Sequence, residues 1–409
     1  MKKKILFLTT RLPLPISDGR SFTLNQYLRA LLEYFEVGLV SLNSDSDANK
    51  QDSNLNFVKI MSDTSFFQKI YNVIFLSIFK GYPLQVSAVY SRKNQKYFNK
   101  IVNDFKPDII ICDMIRMSIY ITKLKFNCKK VLDMDDVLSG RYEQSIENND
   151  DALGKFRTKL PRIFVKLYDK LQLNKFILKF EFKRMKKQEL KSLDLFDKVC
   201  LVSPIEVNKI KCIAKKDNVF VWPVTIKQKS YNYNDFFDPK ELLFIGNMCV
   251  SQNQVTLKYF VKNIYPKLSS DFKIRVIGKH NERVLNEFKK YNFVNFVGRV
   301  DDLTKTIQNS LCLIAPIQFG SGIKIKVLES MACGGIVITS TIGVEGLNVV
   351  PGEDLFVCDN VNEYVNAINK ISIDSELRKR VSANAYQYIE KYHNDTLNKY
   401  VISRELGDE

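Results

Sequence analysis

Leu311-Cys-Leu-Ile-Ala-Pro316-Ile-Gln-Phe-Gly320-Ser-Gly322-Ile-Lys-Ile-Lys326-Val-Leu-Glu329-Ser-Met-Ala-Cys-Gly334-Gly335 reads as a strand, a glycine loop and a helix beginning near Ile323. Glycines let a backbone approach an anion, and the unpaired N–H groups of a first helical turn point at it with the positive end of the helix dipole. Lys324 and Lys326 add positive charge at that mouth, and Glu329 is a carboxylate able to accept from two neighbouring hydroxyls, as with a ribose diol. A glycine loop alone is also an ordinary turn. The next strand, Ile336-Val-Ile-Thr339, ends in a second glycine-bearing loop, Ser340-Thr-Ile-Gly343-Val-Glu345-Gly346-Leu347. In a parallel sheet both loops leave the carboxyl edge, where ligands bind. The pair describes a nucleotide-diphosphate pocket.

Working outward, strand-length apolar runs alternate with helix-period stretches along the chain. The first series is Ile5–Thr9, Val37–Leu42, Ile109–Cys112, Val131–Met134 and Val199–Val202. The second is Leu242–Ile245, Lys273–Ile277, Val294–Val297, Leu311–Ala315, Ile336–Thr339 and Leu355–Val357. Continuous Val/Ile/Leu runs mark strands buried on both faces of a parallel sheet. Two such series predict an α/β chain of two doubly wound domains. The length of 409 residues agrees with that. The seam is expected at Trp222-Pro223, after the strand-like Val219-Phe-Val-Trp222, giving domains 1–222 and 223–385, with a C-terminal helix over 386–409 crossing back to the first.

Composition removes other classes. With 45% hydrophobic and 26% charged residues the chain is globular. Its eight cysteines never form Cys-x-x-Cys and its two histidines supply no metal-ligand spacing, so a reduced, cytoplasmic chain with no metal is expected. No apolar window reaches the length of a membrane span; the longest, Tyr71–Phe79, is half of it. The net charge of +17 is concentrated: residues 151–191 hold ten Lys and three Arg against four acids. Lys155, Lys159, Arg162, Lys166 and Lys170 form one helical stripe beside an apolar face. That pattern reads either as a solvated helix face or as a contact with an anionic membrane surface. No zinc-finger or RNP-type motif accompanies it, so no nucleic-acid partner is expected.

The run Gly320 to Leu347 resembles the signature of the large group 1 family of GT-B glycosyltransferases, retaining enzymes that use nucleotide-sugar donors. Leu243-Phe-Ile-Gly246-Asn247-Met248, Ile274-Arg-Val-Ile-Gly278, Val294-Asn-Phe-Val-Gly298-Arg299-Val300 and Arg11-x-Pro13-x-Pro15-x-x-x-Gly19 extend the resemblance over nearly the whole chain. It is similar above all to the transferases of bacterial surface-polysaccharide assembly. The resemblance implies a GT-B fold, two Rossmann-like domains facing across a cleft. It further implies front-side transfer with retention to a glycan or lipid-linked acceptor, on the inner face of the cell membrane, without a cofactor; the nucleotide-sugar is a substrate.

By the same resemblance, Glu329 matches the ribose-binding second glutamate of the family's E-x7-E pair, and Ser321 stands where the first would fall. The family's Arg and Lys for the diphosphate are missing from Gly246-Asn247-Met248-Cys249, and Lys324 and Lys326 are the replacements. Donor-binding residues are thus Gly19, Gly246, Arg299, Gly320, Ser321, Gly322, Lys324, Lys326 and Glu329. In the first domain Asp135 and Asp136 stand at the family's His-Asp beside the reacting sugar. Such carboxylates can bind hydroxyls, stabilise an oxocarbenium ion or take the acceptor's proton; the other reading is a helix N-cap at Asp136 or Ser139. Arg141 pairs with the carboxylates or with phosphate, on the acceptor or membrane side with Lys159, Arg162, Lys166 and Lys170. Asp133-x-Asp135 matches a metal motif only formally, in the acceptor-side domain. Two other functions share these features: a sugar-nucleotide epimerase of the same fold, and a degenerate, non-catalytic partner.

Overall fold

Strands whose apolar residues run without alternation need helices on both faces of their sheet. The computed structural model describes residues 2–16, 19–42, 51–147, 168, 173–231, 238–320 and 322–407, and supplies that cover twice. One unit is Met1–Trp222 with Tyr400–Glu409; the other is Pro223–Lys399. The helix Ser375–Tyr392, packed in the second unit through Leu377 and Val381, runs on past 385, and the chain passes to the first unit at Tyr400.

The first sheet contains β1 (Lys4–Thr9), β2 (Glu36–Ser41), β3 (Phe57–Ile60), β4 (Ile109–Asp113), β5 (Lys129–Asp135), β6 (Lys198–Leu201) and β7 (Val219–Val221). Its order is β3-β2-β1-β4-β5-β6-β7, parallel throughout. Successive side chains of β1 go to opposite cores. Ile5 and Phe7 pack with Leu24, Tyr27 and Leu31 of the helix Gly19–Tyr34, and with Val401, Ile402 and Leu406 of the terminal segment. Leu6 and Leu8 face Phe98 and Val102 on the other side. Trp222, the only tryptophan in the chain, is fully buried. Its ring stacks on Tyr27 at 4.2 Å, and the Tyr27 hydroxyl donates to its carbonyl at 2.7 Å.

The second sheet contains β8 (Asp238–Ile245), β9 (Lys273–Ile277), β10 (Val294–Gly298), β11 (Ser310–Ala315), β12 (Val337–Thr339) and β13 (Phe356–Val357). Its order is β10-β9-β8-β11-β12-β13, again parallel. Leu242, Phe244, Ile274, Val276, Cys312 and Ile314 form the centre of its core. In each sheet the strand order reverses once, between β1 and β4 in the first and between β8 and β11 in the second. In doubly wound sheets such a reversal is where ligands bind, beyond the carboxyl ends of the strands.

Candidate functional site

In the second unit the loops after β8 and β11 meet at that reversal. Gly278, just after β9, has φ of +133°, and a Cβ there would lie 2.1 Å from the carbonyl oxygen of Gly246, just after β8, so only glycine lets the ends of β8 and β9 approach. Gly320, at φ +109°, sits against the Gln252 amide, which donates to the Phe319 carbonyl. The helix after this loop spans Ile325–Met331, two residues later than the sequence predicts, with Lys324 at its N-cap and no side-chain cap bond.

The two lysines differ because of that shift. Lys324 turns back on its own loop, donating to the carbonyls of Gly320 at 3.1 Å and Gly322 at 2.5 Å, with Glu345 of the β12 loop 4.0 Å away. It braces the loop. Lys326 instead reaches the β8 side, where it donates to Asn253 Oδ1 at 3.1 Å; the Asn253 amide donates to the Asn247 carbonyl at 2.9 Å. Burial of its ammonium, joined by repulsion from Lys324, brings the Lys326 pKa down to about 8. Among the described residues no carboxylate pairs with it. A bound anion at this edge would relieve both causes.

Glu329, half-buried one turn further on, makes no hydrogen bond or ion pair among the described residues. Burial raises its pKa, against the pull of Lys229. A carboxylate held there with open lone pairs suits a ligand that donates hydroxyls. Arg299 is exposed just after the edge strand β10, which β9 and β8 separate from β11. Ser321 lies outside the described residues, as do Lys159, Arg162, Lys166 and Lys170.

The first unit brings four charged groups to its own reversal point; two of them, Arg20 and Asp113, are not singled out by the sequence, and Asp133 enters there only in a formal metal motif. Arg20 follows Gly19, which is the first helical residue and not part of the loop before it. The Arg20 side chain is 7% exposed, and its Nη2 lies 2.5 Å from both Asp113 and Asp133 while Nη1 donates to Asp135 at 2.9 Å. Asp113 also accepts from the Thr10 amide at 3.0 Å and the Thr10 hydroxyl at 2.9 Å. One guanidinium thus faces three carboxylates. Asp113 is buried, yet Arg20 and Thr10 outweigh that burial and lower its pKa. Asp133 is pushed up to about 7 by burial first, then by Asp113 and Asp135, despite Arg20. Burial also raises Asp135, which is the solvent-facing member at 20% exposure and has a left-handed φ of +68°.

Asp136 sits differently. It is 2% exposed, and its Oδ2 accepts from Arg141 Nε at 2.6 Å, while its Oδ1 has no partner among the described residues. It does not cap the helix Leu138–Glu147. Glu206 accepts from the Val137 amide at 3.0 Å, and Glu189 accepts from the Ser139 amide at 2.9 Å and its hydroxyl at 2.5 Å. Carboxylates from two other helices hold that N-terminus. Near Asp113, Arg116 has its pKa lowered by burial, with Arg11 and Arg141 repelling it. Cations therefore converge on the edge that carries Asp135.

Residues 239–374, the greater part of the second unit, match the family described as glycosyl transferases group 1. A Klebsiella pneumoniae protein of 44.6 kDa from the cps region is 23% identical over 408 residues, covering 95% of this chain and 96% of its own. The fold matches sucrose-phosphate synthase from Thermosynechococcus elongatus with a TM-score of 0.71, 13% identity and 99% of each chain covered. It also matches Anabaena HepE in complex with UDP-glucose, with a TM-score of 0.63, 12% identity and 98% of each chain covered. Residues 239–374 thus match the group 1 glycosyl transferases, and the chain that carries them is a transferase whose two parallel sheets have the GT-B fold.

Proposed function

We propose that the second unit binds a nucleotide-sugar and that its sugar passes, with retention, to a glycan or lipid-linked acceptor of bacterial cell-surface polysaccharide. The observation that carries the donor assignment is Glu329. It offers a half-buried carboxylate with unused acceptors on the same short helix whose start presents Lys326 and the glycine loop. A nucleoside diphosphate supplies what each part lacks: ribose hydroxyls for Glu329, and anionic oxygens for the Lys326 ammonium and the loop amides. As the sugar leaves, negative charge builds on the diphosphate, and a preorganised ammonium stabilises it without reorganising. This reading needs no divalent ion.

In the first unit Asp135 is the carboxylate placed to meet hydroxyls, with Arg20 fixing its orientation. Asp136 is enclosed and acts through Arg141. The cps-region relative and the group 1 domain support the surface-polysaccharide setting.

Glu329→Gln tests the assignment. The amide keeps the shape and removes the charged acceptor, so donor binding should weaken by about 1–3 kcal/mol. Because the ribose is remote from the breaking bond, most of the loss should fall on the donor's KM and little on kcat. Steady-state kinetics, with folding checked by circular dichroism, reads the split; an unchanged KM would remove Glu329 from the ribose site.

A further inference from the structure

The segment Phe66–Phe79, a helix continued by a wider π-type turn, has its polarity reversed. Its inward face carries Asn72 and Ser77, whose side chains donate to the carbonyls of Tyr90 at 2.5 Å and Tyr82 at 2.7 Å; Leu76 is its anchor in the core. Its outward face is apolar. Phe67, Tyr71, Phe75 and Phe79 recur every four residues, Tyr71–Phe75 and Phe75–Phe79 each with ring centroids 5.9 Å apart, and a second row runs beside them from Phe66 to Ile78. Phe67 is 82% exposed and Phe79 74%. A surface helix ordinarily shows the opposite arrangement. A continuous apolar strip of this kind marks an interaction site.

What lies beside the strip identifies its occupant. The helix Leu173–Leu195 touches the strip's end, Arg184 donating to the Ser77 carbonyl and stacking over Phe180 at 4.1 Å. Along this helix Lys175, Lys179 and Lys183 are exposed at successive four-residue steps, one position from the row Phe176, Phe180, Arg184. Its acids do not offset them. Glu181 is buried and accepts from the Leu84 and Gln85 amides, Glu189 is spent on Ser139, and Asp194 pairs with Lys216. Aromatic side chains flanked by lysines fit the headgroup boundary of an anionic bilayer: rings enter the acyl margin and ammonium groups meet lipid phosphate. A protein partner for so apolar a strip would not call for the lysine row.

We propose that Phe66–Phe79 with the exposed lysines of Leu173–Leu195 forms a monotopic docking surface for an anionic lipid bilayer. No helix among the described residues is long and apolar enough to cross a membrane. The surface lies wholly in the first unit, on residues that the transfer chemistry does not use, so lipid binding and donor binding are read separately.

Vesicle flotation of the full chain tests it, with phosphatidylcholine vesicles that contain or lack phosphatidylglycerol. The protein should bind the anionic vesicles at least about tenfold more tightly, and less so as salt rises. Phe67→Ser with Phe79→Ser, and separately Lys179→Glu with Lys183→Glu, should each lower binding about tenfold or more at unchanged circular dichroism. Nucleotide-sugar affinity should stay the same. Indifference to phosphatidylglycerol, or undiminished binding by the serine variant, overturns the proposal. So does sedimentation showing that the serine substitutions break up a dimer while the parent ignores vesicles, which would make the strip an interface between copies of the chain.

Discussion

Arg20→Leu is expected to destabilise the first unit by about 3–5 kcal/mol near neutral pH, the scale of removing one partner from a buried charge cluster. Three carboxylates, Asp113, Asp133 and Asp135, would lose their shared cation. The loss should shrink on acidification, because the stranded carboxyls can then neutralise by taking up protons. The parent protein has its own dependence. Asp133 titrates near 7 when folded, above the ordinary aspartate value, so its contribution is full below the unfolded pKa and is lost as pH rises through about 7. Asp113 has the opposite sign: its folded pKa is lowered, and its contribution is lost as pH falls through that lowered value. Trp222 makes the experiment specific, since the only tryptophan is buried in this unit and its fluorescence follows urea unfolding there. A loss below about 1 kcal/mol, the worth of an exposed ion pair, would show that Arg20 does not neutralise the cluster.

Lys326→Met should cost about 1.5–3 kcal/mol of nucleoside-diphosphate affinity, roughly 10- to 150-fold. The thioether fills the space beside Phe244 and Asn253 without the charge. The parent should also lose affinity as pH rises through about 8, because the free protein's lysine deprotonates there while the anion needs its protonated form. The methionine variant should be flat over that range. The sign for folding is reversed: a lysine whose folded pKa is lowered makes the ligand-free protein more stable as pH rises above about 8. Parallel pH profiles for parent and variant would place the titrating group elsewhere.

The fold was legible because its central strands are covered on both faces. Runs such as Leu311–Ala315 and Ile5–Leu8 carry no alternation for a helix period to imitate. The strand missing from that reading, β3, is a four-residue edge strand with Lys59 exposed in its middle, too short and too polar to stand out. The glycine loops were legible as a motif, since Gly278 and Gly320 occupy backbone that disfavours other residues. Arg20 was not, because its partners lie 93 to 115 positions away and only the strand order brings them together. Lys324 was grouped with Lys326 because the two are adjacent in the motif; the helix start at Ile325 turns one onto the loop and the other toward Asn253. For Asp136 the sequence left cap and chemistry open, and the cap role went to Glu189 and Glu206, which no local pattern connects to it. In the sequence only Tyr71–Phe79, the later part of the strip, stands out, and there for its length against a bilayer. Periodicity reveals that a helix has an apolar face but not whether the core takes that face or its opposite.

A nucleotide-sugar held at the carboxyl edge of the second sheet by Glu329, Lys326 and the glycine loop is what we propose for this protein. Calorimetric titration of the full chain with a panel of nucleoside diphosphates and their sugars, in buffer containing EDTA, tests it most directly. Saturable binding to at least one base type without added metal is expected, weakened about tenfold or more by Lys326→Met and also weakened by Glu329→Gln. Absence of binding across the panel, or affinity unchanged in both folded variants, would contradict it.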